Sequence, residues 1–166
     1  MNEKKPKQKL VLREAGNEDI PILALHHRKM FEEIGENKGE PIDITTGRDL
    51  EKAYARKLGH QISDGSCRAW VIADREHIVA SGAVSIVSFV PMPYDLSSDV
   101  IYLHSMFTEK DYRGRRCANR IIEEAIRYCK ANGLKRIFLS ASAAGKPVYE
   151  NIGFVSIPEM MRLDIT

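Results

Sequence analysis

From residue 67 to residue 90 the apolar positions fall into two β-rich runs, CRAWVIAD and HIVASGAVSIVSFV, joined by the polar turn Asp74 to His77. That pattern predicts an antiparallel hairpin, with Gly82 marking a bulge or a close approach. Pro91 and Pro93 keep PMPYDLSS (91–98) out of any central strand, and DVIYLHSMFT (99–108) is a further strand. Before the hairpin, LVLREA (10–15) is a first strand and Asn17 an N-cap. Ile20, Leu23, Leu25, Met30, Phe31 and Ile34 then give a helix an apolar face up to Gly35. GENKGEPIDITT is a loop, and Thr46 caps a second helix with Leu50, Ala53, Tyr54 and Leu58 inward and Gly59 at its end.

After residue 108 the period changes to that of a helix. Ala118, Ile121, Ile122, Ala125, Ile126 and Cys129 recur at i, i+3, i+4, i+7, i+8 and i+11, and Gly133 follows as a stop. LKRIFLSAS (134–142) is a buried strand, so 99–142 forms a right-handed βαβ unit with parallel strands. Pro147 opens a short helix ended by Gly153, and FVSIPEMMRLDIT offers one or two final strands.

Composition narrows the class. A chain of 166 residues is the usual size of one domain, here expected over 10–166, with MNEKKPKQK (1–9) as a basic, solvated tail. Lys plus Arg number 25 and Asp plus Glu 23, so no global field favours nucleic acid or an anionic membrane, and an anion site must be local. Three cysteines, Cys67, Cys117 and Cys129, have no metal-like spacing and suit a reducing cytoplasm; no metal site is expected. Neither a signal peptide nor a membrane span is readable.

The local anion site is EKDYRGRRCANRII (109–122). A strand ending at Thr108, a loop of Arg113, Gly114, Arg115 and Arg116, and a helix beginning near Ala118 aim unpaired N–H groups at one point. Arginines beside it suit a pyrophosphate better than a lone carboxylate. Helix-end electrostatics alone adds only about 0.3–1 kcal/mol, so directional N–H bonds must supply most of the grip. Neither GxxxxGK[ST] nor GxGxxG is present, which leaves a P-loop and a dinucleotide fold unsupported.

Arg113, Gly114, Arg115, Arg116, Cys117 and Ala118 resemble the acetyl-CoA signature of the GNAT acetyltransferase superfamily: Arg or Gln, two residues, Gly, one residue, then Gly or Ala. Arg116 departs from it by standing at the first glycine, where it must crowd the phosphates or take a positive φ. VYENIGF (148–154) resembles the Tyr-x-x-x-Gly-Phe segment after the family's fifth strand, and the likeness as a whole covers 99–163. It implies an α/β (α+β) fold with a mixed sheet of six or seven strands and helices on both faces. It also implies acetyl-CoA as cosubstrate and direct attack by an amine, without an acyl-enzyme.

By the same resemblance, backbone at Met106, Phe107 and Thr108 would hold pantetheine and polarise the thioester carbonyl, and Arg113 through Asn119 would hold the pyrophosphate. Tyr149 would protonate the leaving sulfur, and Asn151 would contact the cofactor. His104 is a candidate base, with burial beneath a helix as the competing reading. Glu32, Glu33 and Glu36 are rival bases or ligands for a cationic acceptor. Cys117 and Cys129 belong to the cofactor helix and are not nominated as nucleophiles. The acceptor is expected to be a small-molecule amine, with a peptide or protein amine and a non-catalytic CoA-binding sensor as alternatives. Neither nucleic acid nor membrane is expected as a partner, and a homodimer is left open.

Overall fold

The computed structural model describes residues 9–165. The expected tail at 1–9 lies outside the described residues except for Lys9, which is exposed. Strand β1 (Val11–Glu14) leads through a 3-10 turn at Asn17–Asp19 into helix α1 (Ile20–Lys38), and helix α2 (Ile44–Asp64) follows. Strands β2 (Cys67–Asp74), β3 (His77–Ser88) and β4 (Asp99–Thr108) come next, then helix α3 (Cys117–Ala131), strand β5 (Ile137–Phe138) and helix α4 (Lys146–Ile152).

The sheet order is β1-β2-β3-β4-β5. β1 to β4 pair antiparallel, and β5 lies parallel to β4, as the βαβ reading requires. Each face of the sheet carries an apolar layer. One joins Ile72, Val84, Ile101 and Leu103 to Ile121 and Ile122 of α3; the other joins Val71 and Ala83 to Leu23 of α1 and Leu58 of α2. A fully buried Ile or Leu contributes about 1.5–3 kcal/mol, so the period of α3 alone suffices to fix it on its face.

Several expectations are corrected. Among the described residues the sheet has five strands, not six or seven. Residues 154–165 form no strand among the described residues, because alternation makes a strand only where a partner backbone pairs with it; Val155, Leu163 and Ile165 stand exposed instead. The strand expected over 134–142 shortens to Ile137–Phe138. Helix α1 runs through Gly35 to Lys38. The glycine at 35 serves a close approach, since a Cβ there would come 2.6 Å from the Glu40 carbonyl oxygen, and the left-handed stop is Gly39. Asp43, not Thr46, caps α2, its carboxylate accepting the N–H groups of Thr45 (2.9 Å) and Thr46 (3.0 Å), and that helix continues past Gly59. Asn17 opens the 3-10 turn rather than capping α1. Its corner is closed by Asp19, which accepts from Gly16 N–H at 2.9 Å and from both arms of Arg13 at 2.7 and 2.8 Å.

Gly82 proves to be a close approach and to lie opposite a bulge in β4. The β3–β4 register slips between Ser81 and Ala83, and a Cβ at Gly82 would strike the Met106 sulfur and come 2.9 Å from Ile121 Cγ2. Opposite it, Ser105 has φ 57, a left-handed conformation that costs an L-residue about 1–2 kcal/mol.

Candidate active site

The β4–β5 ladder covers only Ile101 and Tyr102 opposite Ile137 and Phe138. From Leu103 onward β4 is paired with β3 on one side and has no described strand on the other. That unpaired edge borders a cleft of about 100 Å³ lined by Met106, Phe107, Thr108, Ala118, Gly145, Val148 and Tyr149. Four expected site positions from β4 and α3, and the expected tyrosine from α4, are thus brought together. Tyr149 packs edge-on against Phe154 at 5.8 Å, and burial pushes its phenol up to about 12, so it holds its proton.

The loop at the head of α3 is built from left-handed residues: Gly114 has φ 74 and Arg116, the N-cap, φ 62. The departure from the signature glycine is therefore met by positive φ. The first turn of the helix, at Cys117, Ala118 and Asn119, presents N–H groups that lack intrahelical acceptors. The arginine side chains do not converge there. Arg113 forks onto the Glu33 carboxylate with two bonds of 2.7 Å and donates Nε–H to the Thr108 carbonyl at 3.0 Å. Arg115 lies over the Tyr112 ring at 4.9 Å, and Arg116 reaches Glu123 at 3.4 Å. Asn119 is half-buried at the helix start, whereas Asn151 is exposed on α4 and is not a cleft residue.

Glu32, Glu33 and Glu36 line a second cleft, of about 400 Å³, with Lys29, Glu109 and Asp111, and Phe107 is common to both clefts. The Arg113 fork holds the Glu33 carboxyl below the usual carboxylate range. Glu32 faces Arg28 at 3.3 Å, and Lys29 donates to Glu109 at 2.6 Å.

His104 lies under α2, with both ring nitrogens engaged. Nε2 is 2.8 Å from Ser85 Oγ, and Nδ1 is 3.1 Å from the Tyr54 hydroxyl and 3.0 Å from Ser105 Oγ. Burial first, then the Lys57 charge, pushes its pKa down to about 3, so it is neutral. Ser105 also meets His27 Nδ1 at 2.8 Å, and Lys57 Nζ donates to Ser85 at 2.9 Å and to Gln61. Sequence reasoning missed His27, Tyr54, Lys57, Ser85 and Ser105. Gly82 on the facing strand, and the adjacent polar pair His-Ser inside an otherwise apolar strand, are the signals of a bulge there.

The profile of the Acetyltransferase (GNAT) family matches residues 28–154. A predicted acetyltransferase from Clostridium acetobutylicum, solved with acetyl-CoA, superposes with a TM-score of 0.83 at 23% identity, over 94% of this chain and 96% of that one. A GCN5-related N-acetyltransferase from Ralstonia eutropha gives 0.83 at 20% identity over 94% and 99%. Glucosamine-6-phosphate N-acetyltransferase from Arabidopsis thaliana gives 0.63 at 18% over 95% and 99%. An aminoglycoside N-acetyltransferase in complex with CoA gives 0.69 at 14% over 95% of each chain. A search of curated proteins finds no match. At these identities the solved structures show a shared fold, while the family match spans most of the sequence: the chain belongs to the GNAT family of acetyltransferases.

Proposed function

We propose that the protein transfers an acetyl group from acetyl-CoA to the primary amine of a small molecule, by direct attack and without an acyl-enzyme. The carrying observation is a protonated phenol, Tyr149, set against the unpaired edge of β4 at Met106–Thr108 and beside the start of α3 at Ala118. An extended arm suits an unpaired strand edge because its amides take the place of the missing ladder. A diphosphate suits the N–H groups at the head of α3.

Acetyl-CoA would supply the activated thioester. Backbone at Met106, Phe107 and Thr108 would bind its pantetheine arm and polarise the carbonyl, and the amides of Arg113 to Asn119 its pyrophosphate. Tyr149 gives a proton to the leaving sulfur, a role worth typically about 10²–10⁴ in rate. Cys67, Cys117 and Cys129 are free and buried, and burial raises each thiol above its ordinary value. That argues against a thiolate nucleophile and suits a reducing cytoplasm. A Cys129→Ala variant is expected to keep turnover within about threefold of the parent.

A small cationic amine is favoured because Glu32, Glu33, Glu36, Glu109 and Asp111 gather around one cleft next to Phe107. Two structural neighbours are named for amine-bearing sugars, an aminoglycoside and glucosamine 6-phosphate. Nucleic acid is disfavoured, since Arg113, Arg115 and Arg116 are engaged by Glu33, Tyr112 and Glu123. A second reading, a CoA-binding sensor, is favoured by the Arg116 side chain at the signature glycine. Thiol release from acetyl-CoA over a panel of polyamines, amino acids, aminoglycosides and short peptides tests both. Turnover with a small amine that falls in Tyr149→Phe supports the enzyme. Calorimetric CoA binding with no thiol release from any amine supports the sensor.

A further inference from the structure

The acetyl-transfer reading leaves the proton of the attacking amine without a destination, and the α1 side of β4 offers one. The bulge turns two successive residues, His104 and Ser105, toward the helices. They connect His27 on α1 to Lys57 on α2 by an unbroken series of bonds: His27 Nδ1 to Ser105 Oγ (2.8 Å), Ser105 Oγ to His104 Nδ1 (3.0 Å), His104 Nε2 to Ser85 Oγ (2.8 Å), and Ser85 Oγ to Lys57 Nζ (2.9 Å).

The directions of these bonds are limited by what each group can do. Neutral His104 has one N–H. Two hydroxyls, Tyr54 and Ser105, face its Nδ1, and a hydroxyl is able to donate to a bare nitrogen, so the assignment that satisfies the ring puts the proton on Nε2, donating to Ser85. Nδ1 has one lone pair for the two hydroxyls; where Ser105 fills it, Ser105 Oγ accepts from His27 Nδ1–H. In that arrangement His27 is held in the tautomer that leaves Nε2 as a bare nitrogen, and its ring is only half-buried. Its stacking on Tyr54 at 3.9 Å fixes the ring plane.

We propose that His27 is the catalytic base, taking the proton of the attacking amine on Nε2, and that Ser105 and His104 are positioning residues that set its tautomer. The inference rests on the acetyl-transfer reading above. Acyl transfer needs a base beside the entering nitrogen and an acid beside the departing sulfur. Ser105 and Met106 are neighbours in the chain; the first holds His27 on the α1 side, and the second lines the Tyr149 cleft on the other. As the nitrogen–carbon bond forms, the N–H bond breaks: its proton passes to His27 Nε2 and its electron pair stays on nitrogen. The carbon–sulfur bond breaks with its pair on sulfur, which takes the Tyr149 proton. Water then returns the proton from the imidazolium to the phenolate, so that amine and thioester give amide and thiol with nothing left over.

The titratable and charged groups facing His27 are Tyr54 and Lys57 from α2 and His104 from β4. Burial first, and the Lys57 charge second, pushes its pKa down to about 4. The imidazole is therefore unprotonated at neutral pH, and an amine made acidic by its own attack supplies the proton.

The test uses the full chain, acetyl-CoA and the amine giving the fastest thiol release in the panel. His27→Asn keeps a donor for Ser105 but lacks the basic nitrogen. It is expected to lower kcat about 10²–10³-fold while the rise in melting temperature on adding CoA stays at the parent value. His27→Ala is expected to regain activity on adding imidazole. His104→Asn is expected to lose less than His27→Asn and to shift the acid limb of the kcat/KM profile. A His27→Asn turnover within threefold of the parent overturns the proposal, as does a large loss with no imidazole rescue and an unmoved acid limb. A parent chain whose melting temperature does not respond to CoA removes the acetyl-transfer reading instead.

Discussion

Replacing Arg116 by glycine should stabilise the protein, although it deletes a side chain at the entrance to the candidate cofactor loop. Arg116 sits at the N-cap of α3 with φ 62 and ψ 23, and holding an L-residue in that left-handed region costs about 1–2 kcal/mol. Against the gain stands the larger backbone entropy of glycine in the unfolded chain, about 0.5–1 kcal/mol. The Arg116–Glu123 pair adds almost nothing to the balance: it is 3.4 Å long, and its side chains are 74% and 52% exposed, so solvent screens it. The net expectation is a gain of about 0.5–1 kcal/mol, which for a domain of this length raises Tm by roughly 1–4 °C.

Thermal and urea unfolding measure the effect, with the m-value checked for constancy so that the change refers to stability alone. Gly114→Ala is the control of opposite sign, since Gly114 has φ 74 and alanine there acquires the strain that Arg116 loses. CoA affinity should hold or improve in Arg116→Gly, because only backbone remains beside the first turn. A fall in Tm of more than about 2 °C at unchanged m-value would refute the reasoning, by showing that the arginine side chain contributes more than the strain it imposes.

Tyr149→Phe should lower kcat by about 10²–10⁴ across the pH range. Because burial raises its pKa to about 12, the phenol keeps its proton well above neutrality, so no descending limb below about pH 10 should belong to it; a limb near pH 9 that vanishes in the variant would contradict this. Arg113→Ala removes the fork to Glu33 and the bond to the Thr108 carbonyl, and should weaken CoA binding about 3–10-fold by calorimetry, whereas an unchanged Kd would mean the loop grips through backbone alone. Asp19→Asn should cost about 1–2 kcal/mol in urea unfolding, because it strips charge from bonds to Arg13 and Gly16. The Asp19 carboxyl is lowered chiefly by the Arg13 bond, so its contribution is present above the unfolded value near pH 4 and disappears as pH falls below it. A parent and variant equally stable at pH 7 would count against that account.

The sequence and the structure part company at particular residues. The elements whose evidence is local were legible: the spacing of Ile121, Ile122, Ala125 and Cys129 places α3 against the sheet, the polar turn at Asp74–His77 makes the hairpin, and the arginine–glycine run heads α3. Gly35 and Gly59 read as stops because glycine favours helix ends, yet the left-handed caps fall later, at Gly39 and Gly65, and Ile62 beyond Gly59 still packs against the core.

The candidate site along β4 was unreadable for a sharper reason. Strict alternation carried on from Leu103, which faces α3, would put Phe107 on that same face and send Met106 to the α1 side with His104. The left-handed Ser105 adds one residue to the count and reverses every position after it: Met106 packs with the α3 core, and the Phe107 ring meets His26 of α1 at 4.9 Å. A period of two tells which face a side chain is on only while the period holds. Here it breaks where the strand offers Met106 to the Tyr149 cleft and its neighbour Ser105 to His27. The strain that hid the site from the pattern is therefore the same backbone turn that places the candidate acid and base on opposite sides of one strand.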